Sequence, residues 1–238
     1  MKKYLIALSA LLVTAFCGCS KMDGDPITQE FSINGTYTEL EVQDAFDVTV
    51  SDAVSQVTVT CGDNIMPKVR VEKSGNTLKI YLKGWTVSHS TMTVSLPANP
   101  ALRKVELSGA SDFHGDLVAD EVEIELSGAS TFYGNVAATE LDVDLSGSSD
   151  ATLEGVVGTL DVSISGSSTI AQKIVGNRYA LACNRCEGSI SGSSDVYIHC
   201  DGTIKVNISG SSDLHFTGTA FTGDCSVSGS SSVVHDNL

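Results

Sequence analysis

The stretch that decides the fold is Lys104 to Ser111, which reads Lys-Val-Glu-Leu-Ser-Gly-Ala-Ser, because its pattern returns six more times along the chain. Successive Ser-Gly pairs are separated by 19, 19, 19, 26, 18 and 19 residues. A nearly fixed period of this length is typical of proteins built from stacked repeats. The serines that mark the seven copies are Ser108, Ser127, Ser146, Ser165, Ser191, Ser209 and Ser228.

The residues before each marker serine alternate between apolar and polar. Positions one, three and five before the serine are apolar in 18 of 21 cases, whereas positions two and four before it are never apolar in 14. This two-residue period indicates β-strands with one buried face, and the unit is too short for a four-stranded propeller blade of roughly 40 residues. We therefore predict an all-β fold, a right-handed single-stranded parallel β-helix (β-solenoid) of about 19-residue coils, with strands stacked about 4.8 Å apart.

The tetrad Ser-Gly-(Ser/Ala)-Ser predicts a corner in each coil, because glycine tolerates a positive φ and small hydroxyl residues stack closely. We expect these hydroxyl corners to line up on the outside, each followed by a second short strand. The 26-residue interval predicts a loop that leaves the stack. Its variable part is expected to run from Ile174 to Cys186, around Gly176, Asn177 and Arg178.

The first 18 residues predict a lipoprotein signal peptide, since a Met-Lys-Lys start precedes a short apolar run and Gly18 precedes Cys19. That run is too short to remain in a bilayer. We expect Cys19 to be the lipidated first residue of the mature chain, and Ser20 after it favours the outer membrane, on its periplasmic or cell-surface side. Residues 19–30 then form a lipid-anchored linker.

Two further regions follow the linker. Residues 31–100 are strand-rich but lack the Ser-Gly marker, so they form either less regular solenoid coils or a capping β-layer. We prefer irregular N-terminal β coils that serve as the cap, because an open sheet edge invites aggregation. Residues 101–238 form the regular β-helix with the seven Ser-Gly coils.

Several short stretches carry a family resemblance. They are Phe-Ser-Ile-Asn at 31–34, Ala-Phe-Asp-Val-Thr-Val at 45–50, Asn-Thr-Leu-Lys-Ile at 76–80, Val-Ser-Leu-Pro at 94–97 and the repeat unit at 104–111. Together they resemble the family named putative auto-transporter adhesin with head GIN domain, over nearly the whole mature chain. The resemblance implies an exported, often lipidated β-helical protein of Gram-negative bacteria with an adhesive role.

The charge of the chain excludes one class of partner. There are 14 basic and 29 acidic residues, a net charge of −15, and removal of two leader lysines would bring the mature chain to about −17. A surface of this sign does not favour nucleic acid. It also repels anionic lipid head groups, so we expect the lipid anchor to be the only link to the membrane.

No catalytic constellation is evident in the sequence, and we predict neither an enzyme nor a cofactor. A polysaccharide lyase would need acids beside a basic residue, yet Lys104 and Lys205 share a column five coils apart. We expect a non-enzymatic cell-envelope adhesin or surface-binding scaffold with a glycan or protein partner. The second hypothesis is a self-associating structural envelope protein, which would form a homo-oligomer through the solenoid ends. The third is a polysaccharide lyase.

Three sets of side chains are candidates for binding. The outward column six residues after the marker serine is a tentative surface-binding column for sugars: His114, Tyr133, Tyr197 and His215. Stacked Glu106, Glu125 and Asp144 are either a divalent-cation site or a solvated acidic stripe. We predict no metal ligands, and the thiols remaining after lipidation are odd in number, so their pairing stays open: Cys61, Cys183, Cys186, Cys200 and Cys225.

Overall fold

The computed structural model describes residues 24–84, 92–171 and 173–238. These residues form strands and a single 3₁₀ turn at Met66–Lys68, so the all-β prediction is confirmed. The predicted lipidation residue Cys19 lies outside the described residues. None of the helical segments in the described ranges has the length and apolar character needed to cross a bilayer.

The strands are numbered here in chain order. They are β1 (Pro26–Phe31), β2 (Glu39–Val42), β3 (Phe46–Ser51), β4 (Val57–Gly62), β5 (Val69–Ser74), β6 (Thr77–Leu82), β7 (Met92–Pro97), β8 (Lys104–Leu107), β9 (Asp112–His114), β10 (Leu117–Val118), β11 (Glu121–Leu126), β12 (Thr131–Leu145), β13 (Asp150–Ile164), β14 (Thr169–Ile170), β15 (Ile174–Val175), β16 (Arg178–Tyr179), β17 (Leu181–Ile190), β18 (Asp195–Ile208), β19 (Asp213–Thr217), β20 (Ser226–Val227) and β21 (Ser232–His235).

Apart from β15 and β16, the strands from β8 onward stack in parallel, as a solenoid requires. Residues of β11 pair with the residues of β12 that lie 19 positions later, and β12 pairs with β13 in the same way. The inward columns are closed to solvent: Leu107, Leu145 and Ile208 are each at most 1 % exposed. Each such side chain contributes about 1.5 kcal/mol or more of burial energy, but only because its neighbours above and below cover it.

The glycine of each corner is required by both its backbone angle and its close contact with the next coil. Gly147 has φ of 78°, and a Cβ there would lie 2.5 Å from the carbonyl oxygen of Gly128. An L-residue would therefore be strained and would also collide with backbone. The same contact recurs from coil to coil, which fixes the corners directly above one another.

The last serine of the tetrad corrects the prediction that all corner hydroxyls lie outside. Ser168 is fully buried; its hydroxyl donates to the carbonyl of Ser165 at 3.0 Å and accepts the backbone N–H of Ser149 at 3.4 Å. The Ser168 hydroxyl thus satisfies one polar group in its own corner and one in the neighbouring coil, as do the hydroxyls of Ser111 and Ser194. The other serines of this position that are equally buried are Ser111, Ser130, Ser149, Ser194 and Ser212.

The insertion is smaller than the sequence suggested. The pairing offset is 19 residues at Ile170 and 26 at Leu181, so the extra residues lie between these two positions. They form a separate antiparallel hairpin, β15 and β16. The rest of the predicted variable part, through Cys186, belongs to the regular strand β17, because its apolar residues continue the buried columns.

The N-terminal region combines both predicted alternatives, in an order that does not follow the chain. Strand β2 pairs in parallel with both β6 and β8, and β3 pairs in parallel with both β7 and β9. The coil formed by β2 and β3 is therefore inserted between later segments. Beyond it, β5 pairs antiparallel with β6, β4 antiparallel with β7, and β1 antiparallel with β4. These antiparallel strands close the end of the stack.

The C-terminal end has no such layer within the described residues. Strands β20 and β21 pair only with the preceding coil, through β18 and β19 respectively. Val227 stands in the same inward column as Ile208 but is 46 % exposed. The hydrophobic core is thus open at this end.

Candidate functional site

The aromatic column lies on the strands that follow the corners, where the register brings its members into line. His114 pairs with Tyr133, and Tyr197 pairs with His215. Between the two pairs, the column contains Thr152 and, in the next coil, Ala171. The structure therefore groups the four predicted residues into two separate stacks on one face.

The first stack is open to solvent. The rings of His114 and Tyr133 are stacked and almost parallel, with an interplanar angle of 3° and centroids 4.7 Å apart. Tyr133 is 41 % exposed. One ring face of Tyr133 is covered by the imidazole, and the register neighbour on its other side is Thr152, whose side chain is much shorter than an aromatic ring. His114 lies 3.8 Å from a carboxylate oxygen of Asp47.

The second stack is held by internal contacts. Tyr197 and His215 stack at 4.9 Å, and the buried Tyr179 of the insertion hairpin meets Tyr197 edge to face at 5.5 Å. His215 Nδ1 lies 3.0 Å from Asp236 Oδ2, and the Tyr179 hydroxyl hydrogen-bonds the same oxygen. This stack anchors the hairpin to the last coils. The sequence pattern did not predict this role, because Tyr179 and Asp236 lie outside the repeated column.

A second outward surface is acidic. Glu41, Glu106, Glu125 and Asp144 follow one another in register on the strands before the corners. Glu106, Glu125 and Asp144, together with corner serines, line an open groove of about 370 Å³. Burial, with the neighbouring carboxylates of Glu41 and Glu125, raises the pKa of Glu106 above its usual value. Like charges in adjacent strands repel, which is the physical cause of the second contribution.

Lys104 compensates part of this charge. Its ammonium lies 2.9 Å from Glu123 and 2.8 Å from Glu125. Burial opposes its charge, but the hydrogen bonds to Glu125 and Glu123 outweigh it and raise the pKa of Lys104 above its usual value. Lys205 pairs in register with Glu187 and lies five strand steps away in the same column. The two lysines of this column are thus far apart, and the ammonium of Lys104 is already paired with two carboxylates.

Within residues 24–84, 92–171 and 173–238, the five cysteines are free thiols, and four of them are buried. Cys186 stands in an inward column between Leu160 and Ile204, as the alternation predicted. Cys183 and Cys200 are register partners across β17 and β18. In the described part of the chain, no three His, Cys, Asp or Glu side chains are grouped so that they could hold a metal ion.

A family model named "Putative auto-transporter adhesin, head GIN domain" matches residues 36–220. The chain belongs to this family. The match covers the N-terminal coil formed by β2 and β3, the aromatic column and strands β17 and β18, so the head GIN family resemblance seen in the sequence is confirmed. No curated protein matches the chain.

Solved structures share the fold of this head GIN protein. A protein described as a putative adhesin from Bacteroides fragilis has a TM-score of 0.74 at 19 % identity, covering 90 % of this chain and 97 % of its own. A putative adhesin from Parabacteroides merdae gives 0.63 at 20 %, covering 92 % and 99 %. A protein described as a putative lipid binding protein from Parabacteroides distasonis gives 0.66 at 21 %, covering 91 % and 98 %. At these identities the likeness is one of fold.

Proposed function

We propose that the protein is an exported, non-enzymatic envelope protein that binds a glycan or a glycosylated surface through the aromatic stack of His114 and Tyr133. The family and two of the three solved structures named above are described as putative adhesins, which supports binding without turnover. Membership of an adhesin-like family also supports export or a cell-surface location. The outer-membrane lipid anchor on Cys19 is the finer part of the proposal and comes from the Gly18-Cys19 sequence.

The finer geometry of the fold is part of the same proposal. We take the coils to be about 19 residues long and wound to the right, because nearly all parallel crossover connections have that hand. The paired residues 19 positions apart support the coil length. The adhesive face would then be a flat sheet of outward columns.

The observation that carries the proposal is the exposure of the stacked Tyr133 ring. A tyrosine that is 41 % exposed and already stacked on a histidine contributes little to the core. Its ring orientation is fixed by the stack, so little side-chain entropy is lost on binding. Sugars present C–H groups on one face that pack against aromatic rings, and His114, Asp47 and Thr152 supply polar groups around the ring.

The test is a glycan and matrix-protein array probed with residues 20–238, with calcium and with chelator. We expect Tyr133→Ala to weaken binding roughly tenfold, which corresponds to about 1.4 kcal/mol for one stacking contact. The matched control is Val156→Ala, at a residue of β13 that is 63 % exposed and lies outside the aromatic column, and this variant should bind as the parent does. Equal binding by parent and Tyr133→Ala would overturn the assignment of the stack, and depolymerisation of any polysaccharide would overturn the non-enzymatic assignment.

A second candidate function, self-association, rests on the open C-terminal end. Val227 is 46 % exposed at the end of a core column, and β21 offers an unpaired edge. If two copies join there, Val227→Lys should shift the particle to monomer mass in light scattering. Val118→Lys, at a residue that is 68 % exposed in the middle of the stack, is the control and should change nothing. A parent that is monomeric throughout contradicts this second function.

A further inference from the structure

Among the five cysteines in the described residues, two are placed opposite each other by the strand register. Cys183 in β17 pairs with Cys200 in β18. Cys61 has Ile27 as its partner, and Cys186 has Leu160 and Ile204. The register thus selects one cysteine pair from an odd set, which the sequence alone did not do.

The two thiols are close enough to react. Cys183 and Cys200 are 5 % and 0 % exposed, and both belong to the same hydrophobic core. In-register neighbours in a sheet lie about 4.8 Å apart, within the range of about 4.4–6.8 Å that disulfides span between Cα atoms. Neither thiol has another cysteine as its register partner.

The sheet is irregular at this point. After Cys183 the register shifts, so that Asn184 faces two residues of β18 before Arg185 pairs with Thr203. The Cys200 thiol contacts the carbonyls of Asn184 and Thr203 at 3.6 and 3.7 Å. A bulge frees the local backbone from strict ladder geometry, so the sulfurs can turn toward each other without breaking a regular pair.

The electrostatics favour Cys200 as the attacking sulfur. The hydrogen bond from Cys183 lowers the pKa of Cys200 to about 7, while the same bond and burial raise the pKa of Cys183. A thiolate fraction near neutral pH is what thiol–disulfide exchange requires. Both groups are buried in the folded chain, so the exchange requires a local opening of the sheet around the bulge.

We propose that Cys183 and Cys200 form a disulfide in the exported protein. The Cys200 thiolate attacks the disulfide of an oxidising thiol–disulfide exchange protein and expels one of its sulfurs. The Cys183 thiol then gives up its proton, and its sulfur attacks Cys200 in the mixed disulfide and expels the second. Two S–H bonds are lost, one S–S bond forms, and the partner's disulfide is reduced to a dithiol that takes up both protons.

The bond would join the coils on either side of the bulge, directly after the insertion hairpin. It closes a short loop within the stack, between two strands that otherwise meet through an interrupted ladder. The proposal rests on the exported location given above, because disulfides persist in oxidising compartments.

The experiment uses the full chain, exported by a bacterial host and compared with a chain lacking residues 1–18 that stays in the cytosol. Free thiols are alkylated under denaturing conditions without reduction, and the chain is digested with trypsin. Cleavage after Arg178, Arg185 and Lys205 places Cys183 in peptide 179–185 and Cys200 in peptide 186–205. We expect these peptides to remain joined and to lack two hydrogens relative to the reduced pair.

Two controls make the result decisive. Peptide 186–205 also contains Cys186, so the linkage must persist in Cys186→Ala, and fragmentation of the joined peptide must place the bond on Cys200. The purified reduced chain is also incubated in a glutathione redox buffer. Separately alkylated peptides in both settings, or a bond to Cys186, would overturn the pairing. A bond formed in the buffer but absent from the exported chain would support the pairing and contradict the exported location.

Discussion

The two ends of the stack are built differently. At the N-terminal end, antiparallel strands β1, β4 and β5 close the stack, and Val94 and Leu78 on the strands that pair with β4 and β5 are buried. At the C-terminal end, Val227 is 46 % exposed although the residue above it in the column is not. The same inward columns thus run from a closed end to an open one.

The difference shows that a repeat is stable only through its neighbours. An inward side chain in the middle of the stack is covered from above and below, and one in the last coil from one side. At the N-terminal end, strands that run antiparallel to their neighbours supply the missing cover. An antiparallel strand of this kind does not present a further coil with a matching parallel edge. The following predictions compare the middle, the cap and the open end.

The largest expected effect is in the middle of the core. Leu145→Ala should lower the free energy of unfolding by about 4 kcal/mol, because Leu126 and Ile164 on either side keep the cavity open. Val227→Ala, in the same column at the open end, should cost about 1 kcal/mol at most. Urea unfolding of both variants checks this, and equal losses would show that the last coil is covered in solution.

The corner glycines should separate the coils from the cap. Gly147→Ala combines a positive φ with a Cβ 2.5 Å from a carbonyl oxygen, so we expect a loss of about 3 kcal/mol. Gly75→Ala, in the turn between β5 and β6, has φ of 60° but nothing within 4 Å of its Cβ. It should cost about 1 kcal/mol. Thermal unfolding of the two variants gives the ratio, and a similar loss at both sites would contradict the role of coil contact.

The smallest effect concerns the acidic column, which is charged in the N-terminal half and neutral in the other half. Burial and the adjacent carboxylates raise the pKa of Glu106, so the folded chain binds this proton more tightly than the unfolded chain does. The stabilising contribution is complete below the unfolded pKa of about 4.3 and is lost as the pH rises through the folded pKa. Glu106→Gln should therefore gain about 0.5 kcal/mol at pH 7 and nothing near pH 4.

Salt provides the check on this last prediction. The gain from Glu106→Gln should shrink in high salt, because screening weakens repulsion between exposed carboxylates. Glu30→Gln is the control, since Glu30 is exposed in β1 and its cross-strand partner is Thr58. A pH-independent gain, measured by urea unfolding at several pH values, would mean that the effect is not electrostatic.

Much of the fold follows from local alternation. Leu126, Leu145 and Ile164 alternate with polar residues at a constant distance from a glycine corner, and the structure buries all three. The order of the first coils could not be predicted, because the alternation in Glu39–Val42 fits a parallel or an antiparallel neighbour equally well. The insertion of this strand, β2, between β6 and β8 depends on contacts with residues that are distant in sequence.

The site was predictable only in part. The in-line placement of His114 and Tyr133 followed from the repeat spacing, but the exposure of the Tyr133 ring depends on rotamers and on the small Thr152 beside it. Tyr179 and Asp236 were missed, since they come from the insertion and the last coil and meet only in three dimensions. The burial of the fourth corner serine was also missed, because its hydrogen bonds cross to the neighbouring coil.

The position of β1 sets how far the molecule can reach. On one face the strands follow one another as β1, β4, β7, β3, β9, β12, β13, β14, β18, β19 and β21. Ten steps of about 4.8 Å give a rod about 5 nm tall. If the chain is tethered ahead of Gly24, its closed end faces the tether and its open end lies about 5 nm away. The number of stacked strands then sets this distance.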